Sequence, residues 1–317
     1  MTERFASDMD GGWKQLIDDL FEEFFRFFFP AVHASIDFGK GWRLLDKELA
    51  GIMTGVAIGR READKLFEVQ WRGGGGDEWV MVHIEVQAWA DSTFSERMFV
   101  YNTRIRSKYG RRVLSLGLLV DDSRNFCPDR CEWTLGGCEL SFRYPVVKLL
   151  DFKTEAELFS DRNPFALATL VQRGKFRAAG DVEARFRYKV AYARELIGRR
   201  YSRDWLLKLL RFMDYVLRLP AGLAERYRGE LARLEEDCGM PFLTTFEQKA
   251  LEQGIEQGIE QGLRQGIISA LRQTLEVRFG DVPASLLERI EQTKTLEEVA
   301  AIHRQALTAD SIDDLLV

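Results

Sequence analysis

The stretch Trp79-Val-Met-Val-His-Ile-Glu-Val-Gln-Ala-Trp89 decides the fold, because successive side chains of a strand point to opposite faces. Val80, Val82, Ile84, Val86 and Ala88 form an aliphatic face, and Trp79, Met81, His83, Glu85, Gln87 and Trp89 form the other. On that second face the Glu85 carboxylate and the Gln87 amide lie about 7 Å apart along the strand. Residues 64–71 alternate in the same way, and Arg72-Gly-Gly-Gly-Gly-Asp-Glu78 between them is a turn, so the two strands form an antiparallel hairpin. A turn centred in Gly73–Gly76 gives facing residues a constant index sum of 149, which pairs Asp64 with Glu85. Their Cβ atoms are then about 5 Å apart, and like charges so placed call for a compensating cation. Magnesium fits, since it takes one or two carboxylates with waters and phosphate oxygens. A slip of one residue turns Asp64 to the opposite face and leaves a solvated edge instead.

Outward from the hairpin, the chain reads as an α/β front and a helical back. Trp13, Leu16, Ile17, Leu20, Phe24 and Phe28 recur at helical spacing over 13–29, with Pro30 as the stop. Thr93 to Tyr109 reads as a helix, Val113 to Val120 as a strand buried on both faces, and Ser141 to Val147 as a further strand. From about residue 155 helical patterns dominate, among them Asp204 to Leu219, stopped by Pro220, and Leu223 to Asp237. Gly239-Met-Pro241 marks a boundary. Beyond it Gly254, Gly258, Gly262 and Gly266 recur every four residues and draw a slowly winding ridge on a helix, suited to close helix approach in a hairpin or homodimer. The expected organisation is a core over 12–153, a helical extension over 154–240, and a glycine-repeat helix with a small helical tail over 241–317.

Composition narrows the class. At 317 residues, 46% hydrophobic and 30% charged, the chain has material for about two globular domains. No apolar run reaches the roughly 18 residues of a membrane helix, because Arg26 interrupts the run from Phe21 to Phe29. The acidic N-terminus does not read as a secretory signal, so a cytoplasmic location with no membrane partner is expected. The net charge of −5 divides into −7 over residues 1–100, +2 over 101–171, +8 over 172–218 and −8 over 219–317. The basic middle is a candidate footprint for a polyanion. Cys127, Cys131 and Cys138 cluster, but a zinc site wants four nitrogen or sulfur ligands, and the only histidines are His33, His83 and His303.

Asp64, a glycine-rich turn and Glu85-Val-Gln87 together look like the Asp…(Asp/Glu)-x-Lys signature of PD-(D/E)XK nucleases, with Gln87 in the lysine position. Leu45-Asp-Lys-Glu-Leu49, Ala63-Asp-Lys-Leu66, His83-Ile-Glu-Val-Gln87 and Glu96-Arg-Met-Phe-Val-Tyr-Asn102 resemble the Rpn family of recombination-promoting nucleases and transposases, over roughly residues 20–155. The resemblance implies a restriction-endonuclease-like core, a mixed sheet flanked by helices, and Mg2+-dependent (or Mn2+-dependent) cleavage of DNA in recombination or transposon-like mobility. It makes Asp64 and Glu85 the metal ligands, with the carbonyl of Val86 in support, and Gln87 the group that positions water. A neutral amide brings no charge to that place, and Lys65 or Lys47 is the expected substitute, with Glu48 as a possible third acid. Arg97, Tyr101, Arg104 and Lys108 fall near one side of the following helix, where they brace the carboxylates or touch DNA backbone. His83, on the face of Glu85, reads as a proton shuttle or as a structural hydrogen-bonding residue. Two other readings stand beside the nuclease: a nuclease-fold DNA-binding module without cleavage, motivated by Gln87, and an oligomeric protein assembled through residues 245–279.

Overall fold

The computed structural model describes residues 2–46, 49, 65–72 and 78–238, together with scattered positions from 267 to 309. It divides into two compact units, Met1–Cys238 and Gly239–Val317.

The first unit opens with α1 (Thr2–Asp19), α2 (Phe21–Phe28) and α3 (Pro30–Ser35). The single helix expected over 13–29 is therefore two, with Leu20 outside helical backbone angles at the junction. Pro30 stops α2 as expected, and its fixed φ also lets it begin α3. The sheet strands follow: β1 (Trp42–Leu44), β2 (Lys65–Trp71) and β3 (Glu78–Gln87). The helix α4 (Phe94–Tyr109) crosses to β4 (Val113–Leu119). Strands β5 (Arg130–Leu135) and β6 (Cys138–Arg143) pair with each other in a two-stranded sheet, and β7 (Val146–Lys148) returns to the main sheet. The order is β1-β2-β3-β4-β7, antiparallel across the first three strands and parallel across the last three. The chain is thus an α/β protein with a mixed five-stranded sheet flanked by helices.

The β2–β3 ladder keeps the expected index sum, from Trp71 opposite Glu78 to Lys65 opposite Ile84. Asp64 lies outside the described residues. Both faces of β3 are covered, so the face bearing Glu85 is as buried as the aliphatic one. On the aliphatic side Phe21 of α2 stacks 4.0 Å from Phe67, and Lys65 donates to Asp18 of α1 and to Asp46, 2.5 Å each. On the other side Leu66 and Met81 pack with Leu49 and with Ile105 of α4.

The strand expected over 141–147 is split at Pro145, which has no N–H for a ladder. Its first half joins β5 in a hairpin, and its second becomes β7. Cys131 faces Phe142 and Cys138 faces Leu135, so these cysteines sit four residues apart along the hairpin, about 13 Å, too far to share an ion.

Five helices complete the unit: α5 (Glu155–Ser160), α6 (Pro164–Ala178), α7 (Val182–Gly198), α8 (Arg203–Val216) and α9 (Ala221–Cys238). Trp13 of α1 is fully buried among them, 4.9 Å from Phe212 and 6.4 Å from Phe165, with its indole N–H on Gln172 at 3.1 Å. Gln172 donates in turn to the carbonyl of Val120, which fastens α6 to the end of β4. Gly11 and Gly12 let α1 approach α8: a Cβ at Gly12 would lie 2.8 Å from Cδ1 of Tyr215.

In the second unit Leu271, Leu275, Leu286 and Ala306 are buried together, and Arg278 donates to the carbonyl of Ala306 at 2.6 Å. The four repeat glycines lie outside the described residues. No helix among the described residues is long and apolar enough to cross a membrane.

Candidate functional site

The polar end of β3 meets the first two turns of α4. Phe94, Arg97, Met98, Tyr101 and Ile105 form the buried side of that helix, at spacings of three and four. Phe94 and Met98 pack with Leu119 and Tyr144, which fixes α4 over β4 and brings Arg97 above Glu85. Gly117 stands directly across the parallel ladder from Glu85. A Cβ there would press on Val146 at 3.1 Å and Phe94 at 3.4 Å, so glycine permits the close seating of α4.

Arg97, 2% exposed, is the hub of this cluster. Its Nε and Nη2 donate to Oε1 of Glu85 at 3.0 and 2.7 Å. Nη2 also donates to Oε1 of Gln87 at 2.7 Å, and Nη1 to Oδ2 of Asp91 at 2.6 Å. Gln87 donates from Nε2 to the carbonyl of Trp89 at 2.7 Å. Asp91 is further held by the N–H and hydroxyl of Thr93, at 3.0 and 2.8 Å. Burial works against its charge, but the bonds from Arg97 and Thr93 outweigh it and lower its pKa to about 2.

His83 is fully buried, 3.7 Å from Oε2 of Glu85 through Nε2, with its ring edge-on to Tyr101 at 5.5 Å. The cluster therefore assembles Glu85, Gln87, Arg97, His83 and Tyr101 from the expected residues. It separates Arg104, half-buried, and Lys108, exposed, from the inward-facing Arg97 and Tyr101, so the four do not make one outward stripe. Lys108 instead lies 5.5 Å over the Tyr109 ring.

Two expectations are corrected. Lys65 does not supply a cation beside Glu85, because strand alternation turns it to the opposite face, onto Asp18 and Asp46. Gln87 has its amide oxygen on Arg97 and an amide N–H on a backbone carbonyl, so it holds the guanidinium rather than presenting itself to water. The other candidates of the sequence, Lys47, Glu48 and Asp64, lie outside the described residues. Of the other histidines, His33 stacks on Phe38 at 4.9 Å, and His303 lies 3.2 Å from the Thr274 hydroxyl.

Sequence reasoning missed Asp91 and Gly117. The signal for Asp91 was the Asp91-Ser-Thr93 step just before the helix, a side-chain turn that fixes where α4 starts. The basic middle also reads differently in three dimensions. Arg173 is buried and donates to the carbonyls of Leu149, Phe152 and Lys153, and Arg199 does the same for Leu158, Phe159 and Asp161. Lys148 is sealed against Asp121 with two bonds of 2.6 Å. These cations tie the fold together and do not face a polyanion.

No group of three or more His, Cys, Asp or Glu side chains that could hold a metal ion occurs among the described residues. Glu85 does offer the hard oxygen chemistry that magnesium prefers, and Arg97 holds it through Oε1. Comparisons of the chain with protein-family models, with curated proteins and with solved structures find no match.

Proposed function

We propose that the chain is a metal-dependent DNA endonuclease built on a restriction-endonuclease-like core, acting in recombination or transposon-like mobility. The observation that carries this reading is the buried Glu85–Arg97–Gln87 cluster at the end of a central strand. The index sum by which the sequence pairs Asp64 with Glu85 is also the sum that the described ladder keeps. Asp64 and Glu85 would hold Mg2+ or Mn2+, which supplies a Lewis acid for phosphodiester hydrolysis. Arg97 fixes the Glu85 carboxylate through Oε1 and brings beside Gln87 the positive charge that the amide lacks. Gln87 and Asp91 orient that guanidinium, and the apolar packing of Phe94 and Met98 keeps water from loosening it.

The test is nicking of supercoiled plasmid with Mg2+ or Mn2+ by the intact chain, Asp64→Ala and Glu85→Ala. Nicking by the intact chain alone supports the reading. A non-cleaving DNA-binding module is the second reading, favoured by the engagement of both ends of the Gln87 amide. It expects DNA retention in a mobility-shift assay with no metal-dependent nicking.

A further inference from the structure

The hairpin of β5 and β6 shares no residue with the Glu85 cluster. A tight turn at Gly136 and Gly137, both at positive φ (57° and 88°), closes it into a two-stranded sheet. Facing residues of an antiparallel pair share a side, so Trp133, Leu135, Leu140 and Phe142 form an apolar side and Glu132, Glu139, Ser141 and Arg143 a polar one. At its base the apolar side rests on α4, where Phe142 lies 5.7 Å from Phe99. Towards the tip it is open: Trp133 is 49% exposed and Leu135 76%.

Alternation also fixes which way the backbone groups of β6 point. The N–H of Tyr144 donates to the carbonyl of Asp129 at 3.1 Å, one pair beyond Arg143 opposite Arg130. Counting back from it, the backbone groups of Phe142, Leu140 and Cys138 turn inward to β5, and those of Arg143, Ser141 and Glu139 turn outward. The outward groups have no backbone partner among the described residues, and the side chains of all three are exposed. Strand β6 runs six residues in unbroken register with no proline or lysine, the residues that commonly blunt a sheet edge.

The sequence of this edge complements itself. Set antiparallel about a two-fold axis at Ser141, two β6 strands bring all their outward groups into hydrogen-bonding register, with Ser141 opposite its own copy. Glu139 then faces Arg143 of the second copy, and symmetry repeats the pair at the other end. Glu139 makes no ion pair among the described residues, and Arg143, two-thirds exposed, reaches only to the hairpin's own Glu132 at 3.2 Å among them. On the opposite side Leu140 faces Phe142 of the second copy, which joins the two apolar sides. The same operation on β5, about Glu132, would set two carboxylates face to face, and α4 runs alongside that strand.

We propose that β6 is a homodimer interface, through which two copies of the chain join edge to edge into one continuous sheet. Main-chain hydrogen bonds supply the affinity, and the Glu139 and Arg143 pairs set the register. The assembly does not involve residues 245–279 and does not depend on cleavage at Glu85.

Sedimentation velocity on the full chain over a concentration series tests it. A dimer is expected for the wild type. Ser141→Pro removes one outward N–H that the ladder to β5 does not use, so the hairpin is kept and the variant sediments as a monomer. Glu139→Arg and Arg143→Glu each set like charges face to face at both ends, and each should weaken the dimer by about tenfold or more. The double reversal restores opposite charges and should restore the dimer. Amide hydrogen exchange on the wild type gives a second reading: Glu139, Ser141 and Arg143 should gain protection as concentration rises, while Leu140 and Phe142 are protected throughout. A chain that stays monomeric, a dimer that persists in Ser141→Pro because it is held elsewhere, or protection at the three outward amides that does not change with concentration overturns the proposal.

Discussion

At the scale of single residues, the buried guanidinium of Arg97 is where a substitution should cost most. Arg97→Met leaves Glu85, 4% exposed, and Asp91 facing apolar packing without their cation. A loss of about 3–5 kcal/mol in urea unfolding is expected, the usual cost of breaking one side of a buried pair. The double variant Arg97→Met/Glu85→Gln should recover part of that loss, because the orphaned charge is gone. Asp91 makes a separate claim in acid. Its pKa is lowered from 3.8 to about 2, so its stabilisation is complete above pH 3.8 and disappears as pH falls towards 2. Wild type and Asp91→Asn should differ by about 2 kcal/mol at neutral pH and converge over that window, followed by denaturant titration at each pH.

At the scale of elements, the glycines divide by what lies above them. Gly12→Ala should destabilise by about 1–3 kcal/mol although alanine is the better helix former, because its Cβ meets Tyr215 at 2.8 Å. Gly229→Ala, in α9 with nothing within 4 Å, should stabilise by up to about 1 kcal/mol. Thermal melts of the two variants read opposite signs. Elements that announce themselves by period were legible: the β2–β3 register, α4 and β4 follow from alternation, a glycine turn and an apolar run. Strand β1, three residues long and exposed throughout, carries no pattern and was not foreseen. The β5–β6 pair was hidden because its alternation is broken by a tight turn at Gly136 and Gly137. Within the site, Glu85 and Gln87 were legible from strand parity, and so was Arg97 as a brace. Parity also turns Lys65 away from Glu85, but the sequence gives no sign of Asp18 and Asp46, the partners that engage it on the other face. Burial is what charge counting leaves out, and Arg173 and Arg199 show that part of a basic block can be internal carpentry.

At the scale of the whole molecule, the division after Cys238 makes a direct forecast. Residues 1–238, a compact unit with its own core, should fold alone and unfold cooperatively in calorimetry. Light scattering on this piece and on the full chain tests assembly through 245–279: that reading expects a dimer that becomes a monomer on truncation. The seating of α1 against α8 has a consequence for how the protein is made. Lys208 donates to the carbonyl of Asp19 across 189 residues, and Trp13 completes its ring contacts only with Phe212. At about 5–20 residues per second, the first helices leave the ribosome some 10–40 s before their partner exists. Through that interval the side of α1 that carries Trp13 lacks its α8 cover, so nascent chains shorter than about 220 residues should be clients of holding chaperones.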